Sequence, residues 1–228
     1  NNQEGKIYIS HDGRESSSDI ESALSTGIIY QGSEVISIGL LPTPALSICL
    51  NAQRLEKELC AGIQITASHN PYHDNGVKFF DKNGFKIDSV LEKIIENNYF
   101  NQVEEIHIED KKKSKHDSSE IFNKRYINYI NDYFLLKVKG VESPKRKFNI
   151  LVDCANGATS EVISEILKDS FINIIPIYNE PSGKNINNNC GATHTDALKK
   201  FIFDFNSIKV NSSDYDKARA PKELKIDL

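Results

Sequence analysis

The chain has 228 residues, 39% hydrophobic and 26% charged, with a formal net charge of −4. That balance is ordinary for a globular protein and argues against a nucleic-acid surface or a polybasic membrane patch. No apolar run approaches the ~20 residues that span a bilayer. Cys49, Cys60, Cys154 and Cys190 form no C-x-x-C pair. Free thiols in a cytoplasmic setting are expected rather than a disulfide framework. The polar start Asn1–Lys6 has no leader pattern. Methionine is absent from all 228 residues, so a piece of a longer protein is the natural expectation.

In chain order, Lys6–Ser10 alternates and reads as a strand. The turn His11-Asp12-Gly13-Arg14 and a serine run precede an amphipathic helix near residues 18–31. Glu34–Ile38 is a second strand, and Pro42-Thr43-Pro44 opens a helix that runs to about Lys57. Ala61–Ile65 is a third strand. Val77–Phe80 and Phe85–Ile87 flank Asn83-Gly84 as a hairpin, and Asp88-Ser89 caps the next helix. Glu104–Asp117, with its three lysines, reads as an exposed connector. Ile121, Phe122, Tyr126, Tyr129, Ile130, Tyr133 and Phe134 form the core-facing stripe of a long helix. Residues 137–146 read as a linker. Strand Phe148–Val152, a helix over Thr159–Lys168 and strand Ile172–Ile177 then predict a parallel βαβ unit.

Thr66-Ala67-Ser68-His69-Asn70-Pro71 follows the third strand directly. A strand thus delivers the Ser68 hydroxyl into a tight, proline-closed loop, with Lys78 ten residues downstream. A serine hydroxyl is a weak nucleophile unless a base or nearby charge assists it. Phosphoryl transfer asks mainly for positioning and cations, and Lys78 and Arg14 are the candidate cations. Alternation along an extended chain points His69 away from Ser68, so the two are not expected to form a dyad. No G-x-S-x-G elbow surrounds Ser68, which disfavours that hydrolase class. The plain alternative is a turn serine bonding its own backbone. Cys190 and His194 are only two ligands and make no zinc site. Asp153, at a strand end, can act chemically or simply cap a helix.

The string from Ile63 to Phe80 resembles the active-site segment of the α-D-phosphohexomutase superfamily. Asp74-Asn75-Gly76-Val77-Lys78-Phe79-Phe80 is most like its phosphoglucosamine mutase branch. His11–Arg14, Pro42–Ala45, Gly84–Ile87, Arg125–Ile127, Val152–Ala158, Asn185–Asn187 and Cys190–His194 continue the resemblance in order, from residue 5 to about residue 200. It implies that Ser68 is carried as phosphoserine and, through its phosphate, is one ligand of a Mg²⁺ ion. It also implies that Lys78 and Arg14 contact the phosphoryl group or assist proton transfer, and that His69 and Asn70 shape the loop. The implied partners are hexose and hexosamine phosphates. The implied chemistry interconverts glucosamine 6-phosphate and glucosamine 1-phosphate through a sugar bisphosphate.

The chain departs from the family after residue 200. The family's Asp-x-Asp-x-Asp-Arg metal string is missing, and Asp214 and Asp216 lack its arginine and glycine context. The expected fold is α/β, a three-layer α/β/α domain with a mixed sheet over residues 1–140, followed by a partial second domain of similar type over 141–203. Residues 204–228 are expected to be a divergent tail. Poor turnover by this polypeptide alone follows as an expectation. The competing readings are a phosphomannomutase or phosphoglucomutase, and a non-catalytic remnant with a binding role.

Overall fold

The computed structural model describes residues 5–55, 60–101, 115–168 and 170–207. Strands β1 (Lys6–His11), β2 (Glu34–Leu40), β3 (Cys60–Ile65), β4 (Val77–Phe80) and β5 (Lys115–Asp117) form one sheet in the order β4-β3-β1-β2-β5. β1 pairs in parallel with β2 and β3, β2 with β5 in parallel, and β4 runs antiparallel to β3. Side chains alternate across the pleat, so the sheet feeds two cores. On one face Tyr8, Ile38 and Phe80 pack with Leu46 and Leu50 of α2 (Thr43–Leu55) and with Phe122 and Tyr126 of α4 (Ser119–Lys137). On the other face Ile9, Val35, Ile63 and Ile65 pack against Ile20, Leu24 and Ile28 of α1 (Ser17–Tyr30). This is the mixed sheet between helices that the sequence predicts.

The Asn83-Gly84 turn forms, but the expected hairpin reduces to a single antiparallel bridge between Phe80 and Lys86. The Asp81 carboxylate closes that turn by accepting from the Asn83 and Phe85 amides, both at 2.9 Å. Gly84 has φ +80°, and a Cβ there would lie 2.3 Å from the Ser47 carbonyl oxygen. Both conditions call for glycine. Asp88 caps α3 (Ser89–Asn101) as expected, accepting from the Val90 and Leu91 amides at 3.0 and 2.8 Å.

Three expectations change. The end of the charged connector is a strand, β5, added to the open edge of β2; Lys111–Lys113 lie outside the described residues. The aromatic stripe of α4 splits: Phe122 and Tyr126 are buried, whereas Ile121, Tyr129 and Tyr133 are about half exposed. The segment read as helix 159–168 is a 3-10 turn over Ala158–Glu161 followed by irregular turns. Val162, Ile163 and Ile166 are β-branched, which weakens a helix. Leu167, at φ 58°, instead gives its amide to the Asn131 side chain of α4 at 2.8 Å.

β6 (Phe148–Asp153) and β7 (Ile172–Ile177) still pair in parallel, as a separate two-stranded sheet. α4 bridges to it: Val162 and Ile166 join the first core, and the Phe134 ring packs 5.4 Å from that of Phe171. α5 (Thr195–Ser207) runs through residues 203 and 204, where the divergent tail was expected to start. Asp214 and Asp216 lie outside the described residues.

Candidate functional site

Adjacent parallel strands end together, and the loops beyond their carboxyl ends are where α/β sheets place ligands. Here β1 runs into Asp12-Gly13-Arg14 and β3 into Thr66–Asn75. The two loops are joined at the root by the Asp12 amide donating to the Ile65 carbonyl at 3.1 Å.

From that root a relay fixes Ser68. The Asp12 carboxylate oxygen Oδ2 accepts from the Thr66 hydroxyl at 2.6 Å and from Arg14 Nε at 3.0 Å. The Thr66 hydroxyl oxygen in turn accepts from the Ser68 amide at 3.0 Å. The Thr66 amide donates to the Gly76 carbonyl at 2.9 Å, closing the loop at its base. Ser68 has φ 57°, a left-handed conformation that costs a non-glycine residue of order 1–3 kcal/mol and persists only where the surroundings impose it. The side chain it displays is exposed.

Arg14 does most of the imposing. It is only 2% exposed. Its NH1 reaches the carbonyls of Asn70 at 3.1 Å, Pro71, and Asp74 at 2.9 Å, and its NH2 reaches the Ser68 carbonyl at 2.9 Å. The guanidinium therefore holds the backbone of the loop, where the sequence had suggested contact with a phosphoryl group. A flat fork with five donors suits this task and a lysine does not.

His69 is also placed differently from the sequence argument. Alternation presumes extended backbone, and the left-handed turn at Ser68 breaks it. The Ser68 hydroxyl oxygen lies 3.2 Å from His69 Nδ1. The Asn70 side-chain amide donates to the Asp74 carboxylate at 3.0 Å. Lys78 stands on β4 opposite Gln64, on the strand that leaves the loop. Among the described residues no carboxylate pairs with it.

Asp12, Thr66 and Asn187 also shape the loop; they stand inside segments quoted from the sequence, which assigns none of them a role. Asp12 and Thr66 each stand one residue past the carboxyl end of a strand, β1 and β3, and are 9% and 6% exposed; a polar residue directly after an apolar strand is the signal the sequence offers. Asn187 comes from the loop after β7, and its side-chain amide donates to the carbonyls of Ser68 and Asn70 at 2.8 and 3.1 Å. Only the folded chain brings it there.

Elsewhere the electrostatics are quiet. Burial pushes the Cys49 thiol up to about 12 and the Cys154 thiol up to about 11, so neither serves as a nucleophile near neutrality. Cys49, Cys60, Cys154 and Cys190 are all buried thiols outside any disulfide. Among the described residues no three His, Cys, Asp or Glu side chains gather as a cation site. No helix among them is long and apolar enough to cross a membrane.

Comparison with known proteins finds a consistent likeness over most of the chain. The family profile described as phosphoglucomutase/phosphomannomutase, alpha/beta/alpha domain I, matches residues 1–105. A phosphoglucosamine mutase of Pseudoalteromonas translucida is 37% identical over 204 residues, 89% of this chain and 42% of the relative. One of Aliarcobacter butzleri is 39% identical over 207 residues, 88% of this chain and 44% of the relative. The chain thus spans less than half the length of these curated relatives. A phosphoglucomutase/phosphomannomutase family protein from Burkholderia thailandensis superposes with a TM-score of 0.65 at 19% identity, over 88% of this chain and 41% of that one. A putative phosphomannomutase from Thermus thermophilus gives 0.63 at 25% identity, over 80% of this chain and 39% of that one.

Proposed function

Because the chain belongs to the α-D-phosphohexomutase superfamily and is similar to phosphoglucosamine mutases over the part they share, we propose that it is the phosphoryl-carrying part of a phosphosugar mutase. The observation that carries this reading is the presentation of Ser68. Its hydroxyl is exposed in a left-handed turn whose amide and carbonyl are both held, by Thr66 and by Arg14. A plain turn serine that bonds its own backbone has no need of a buried arginine beneath it.

The proposed sequence begins with phosphoserine at Ser68. The P–O bond to Ser68 breaks as a P–O bond to a sugar hydroxyl forms, and the proton that hydroxyl gives up ends on the departing Ser68 oxygen. The sugar bisphosphate so produced turns over. The other phosphoryl group then passes to the Ser68 hydroxyl as its P–O bond to the sugar breaks, and the freed sugar oxygen ends protonated; the serine proton leaves as the new bond forms. His69 Nδ1, at 3.2 Å, is within reach of that proton. Arg14, Asp12 and Thr66 hold the acceptor still, which is where most of the catalytic advantage in phosphoryl transfer lies. Lys78 is assigned to the charge of the phosphoryl oxygens. The substrate pair proposed is glucosamine 6-phosphate and glucosamine 1-phosphate, on the strength of the relatives' names.

Magnesium is proposed as the cofactor, since a phosphoseryl oxygen is a hard ligand of the kind that ion takes. When bound, it would neutralise charge on the transferring group. The described residues bring no carboxylate cluster to Ser68, so they do not complete a site for the ion and no step is derived through it. The expected consequence is slow turnover by the 228-residue chain alone. A coupled assay for glucosamine 1-phosphate formation with a bisphosphate activator checks this, and brisk metal-dependent turnover contradicts it. Mass analysis after incubation with a sugar bisphosphate tests the carrier role itself: an unmodified Ser68 supports the non-catalytic remnant.

A further inference from the structure

We propose that Asn187, from the second sheet's loop, is a positioning residue for phosphoryl transfer at Ser68. This rests on the phosphoserine reading above. Two carbonyl oxygens of the loop, those of Ser68 and Asn70, each accept twice. Arg14 donates to them from below at 2.9 and 3.1 Å, and the Asn187 amide donates at 2.8 and 3.1 Å. Both partners of the Asn187 amide are acceptor-only carbonyls, which fixes which end of the carboxamide faces them. The serine-bearing turn is thus pinched between a buried arginine of the first unit and an asparagine of the second.

Asn187 is built into its place. Its φ is 57°, a conformation asparagine tolerates better than most residues. Its backbone N–H donates to the Ala155 carbonyl at 2.9 Å, in the turn after β6. In the same turn Asp153 receives the Gly191 amide at 2.7 Å, and the Asn156 side chain reaches the Asn185 carbonyl at 3.4 Å. The loop is therefore anchored at its root to the second sheet. A further contact seats it on the first unit: the Glu15 amide, next to Arg14, donates to the Gly183 carbonyl at 2.9 Å, and Lys184 pairs with the Glu15 carboxylate at 2.8 Å. Gly183 itself has φ +83° and lies against the Glu15 backbone. The loop after β7 is a strap across the acceptor turn, and the fit of the second unit on the first sets the orientation of Ser68.

Asn187→Gly removes the carboxamide while keeping the backbone comfortable at φ 57°. Asn187→Asp keeps the shape but turns a donor into an acceptor facing two carbonyls. In the 228-residue chain, both variants are expected to raise amide hydrogen exchange across residues 66–76 about tenfold, as for the loss of a hydrogen-bonded constraint. Exchange in β6 and β7 and the melting temperature of the Gly variant should stay unchanged. With glucose 1,6-bisphosphate and Mg²⁺ as the probe, the maximal rate at which Ser68 acquires phosphate should fall about tenfold. The half-saturating bisphosphate concentration should hold, because a merely structural defect has no reason to spare it. Unchanged exchange in residues 66–76 overturns the strap. Raised exchange with an unchanged maximal rate overturns the positioning role. If wild-type Ser68 takes no phosphate, the phosphoserine reading fails instead, and the exchange result alone then decides whether Asn187 fixes the loop.

Discussion

The two sheets are built to different standards. The five-stranded sheet buries side chains on both faces, with Ile9, Val35, Ile38, Leu46, Leu50 and Ile65 all fully enclosed. The two-stranded sheet leaves Phe148 and Ile150 well exposed, at 39% and 38%. A pair of strands is marginal by itself, and here α4 and the strap loop tie it to its larger neighbour. The site follows the same division. The first sheet supplies the nucleophile and its buried scaffold, and the second supplies a single side chain over the top. Rigidity at Ser68 is thus made where the packing is dense, and the looser unit trims it.

The largest expected effect comes from breaking the dense side. Arg14→Met leaves the buried Asp12 carboxylate uncompensated and four loop carbonyls short of a donor. It should cost about 3–5 kcal/mol in chemical denaturation, and Arg14→Lys should recover only part of that. Next, Leu50→Ala, in the fully buried layer under α2, should cost about 2–5 kcal/mol, whereas Ile150→Ala in the second sheet should cost under about 1 kcal/mol. Equal costs would erase the contrast between the two units.

A smaller effect concerns pH. Burial holds the His11 imidazole below its ordinary value of 6.5, against the opposing pull of Glu21 and Asp12. The unfolded chain therefore takes up that proton first as pH falls. Stability is full above 6.5 and declines as pH drops below it towards the folded-state value. Melting curves of wild type and His11→Gln should diverge in that window, and parallel curves refute it. Least of all, Ser68→Ala should leave stability within about 0.5 kcal/mol, since the hydroxyl is displayed outward and makes no buried contact.

The first unit was largely legible because its signals are local. β1 to β4, α1 to α4 and the Asp88 cap all follow from period and turn chemistry. β5 looks like connector in the sequence, since three charged-or-polar residues, Lys115-His116-Asp117, show a strand only through their pairing with β2. The helix expected over 159–168 failed because β-branched residues and the Asn131 side chain offered the chain another way to satisfy its amides. At the site, Ser68, His69, Asn70 and Lys78 stood in one string and could be read together. The role of Arg14 could not, because it depends on four carbonyls that lie 54 to 60 residues away in sequence. Asn187 is further still, 119 residues from Ser68, and no local pattern marks such a contact. The His69 orientation departs from strand alternation for a different reason: Ser68, at φ 57°, cancels the alternation rule.

The central claim is that Ser68 is a phosphoryl carrier held ready by its loop. Intact-mass and peptide analysis of the 228-residue chain, after incubation with Mg²⁺ and glucose 1,6-bisphosphate, tests it most directly. The account predicts one added phosphate, located on Ser68 and absent from Ser68→Ala. A chain that stays unmodified, or one that carries its phosphate on another residue, contradicts it.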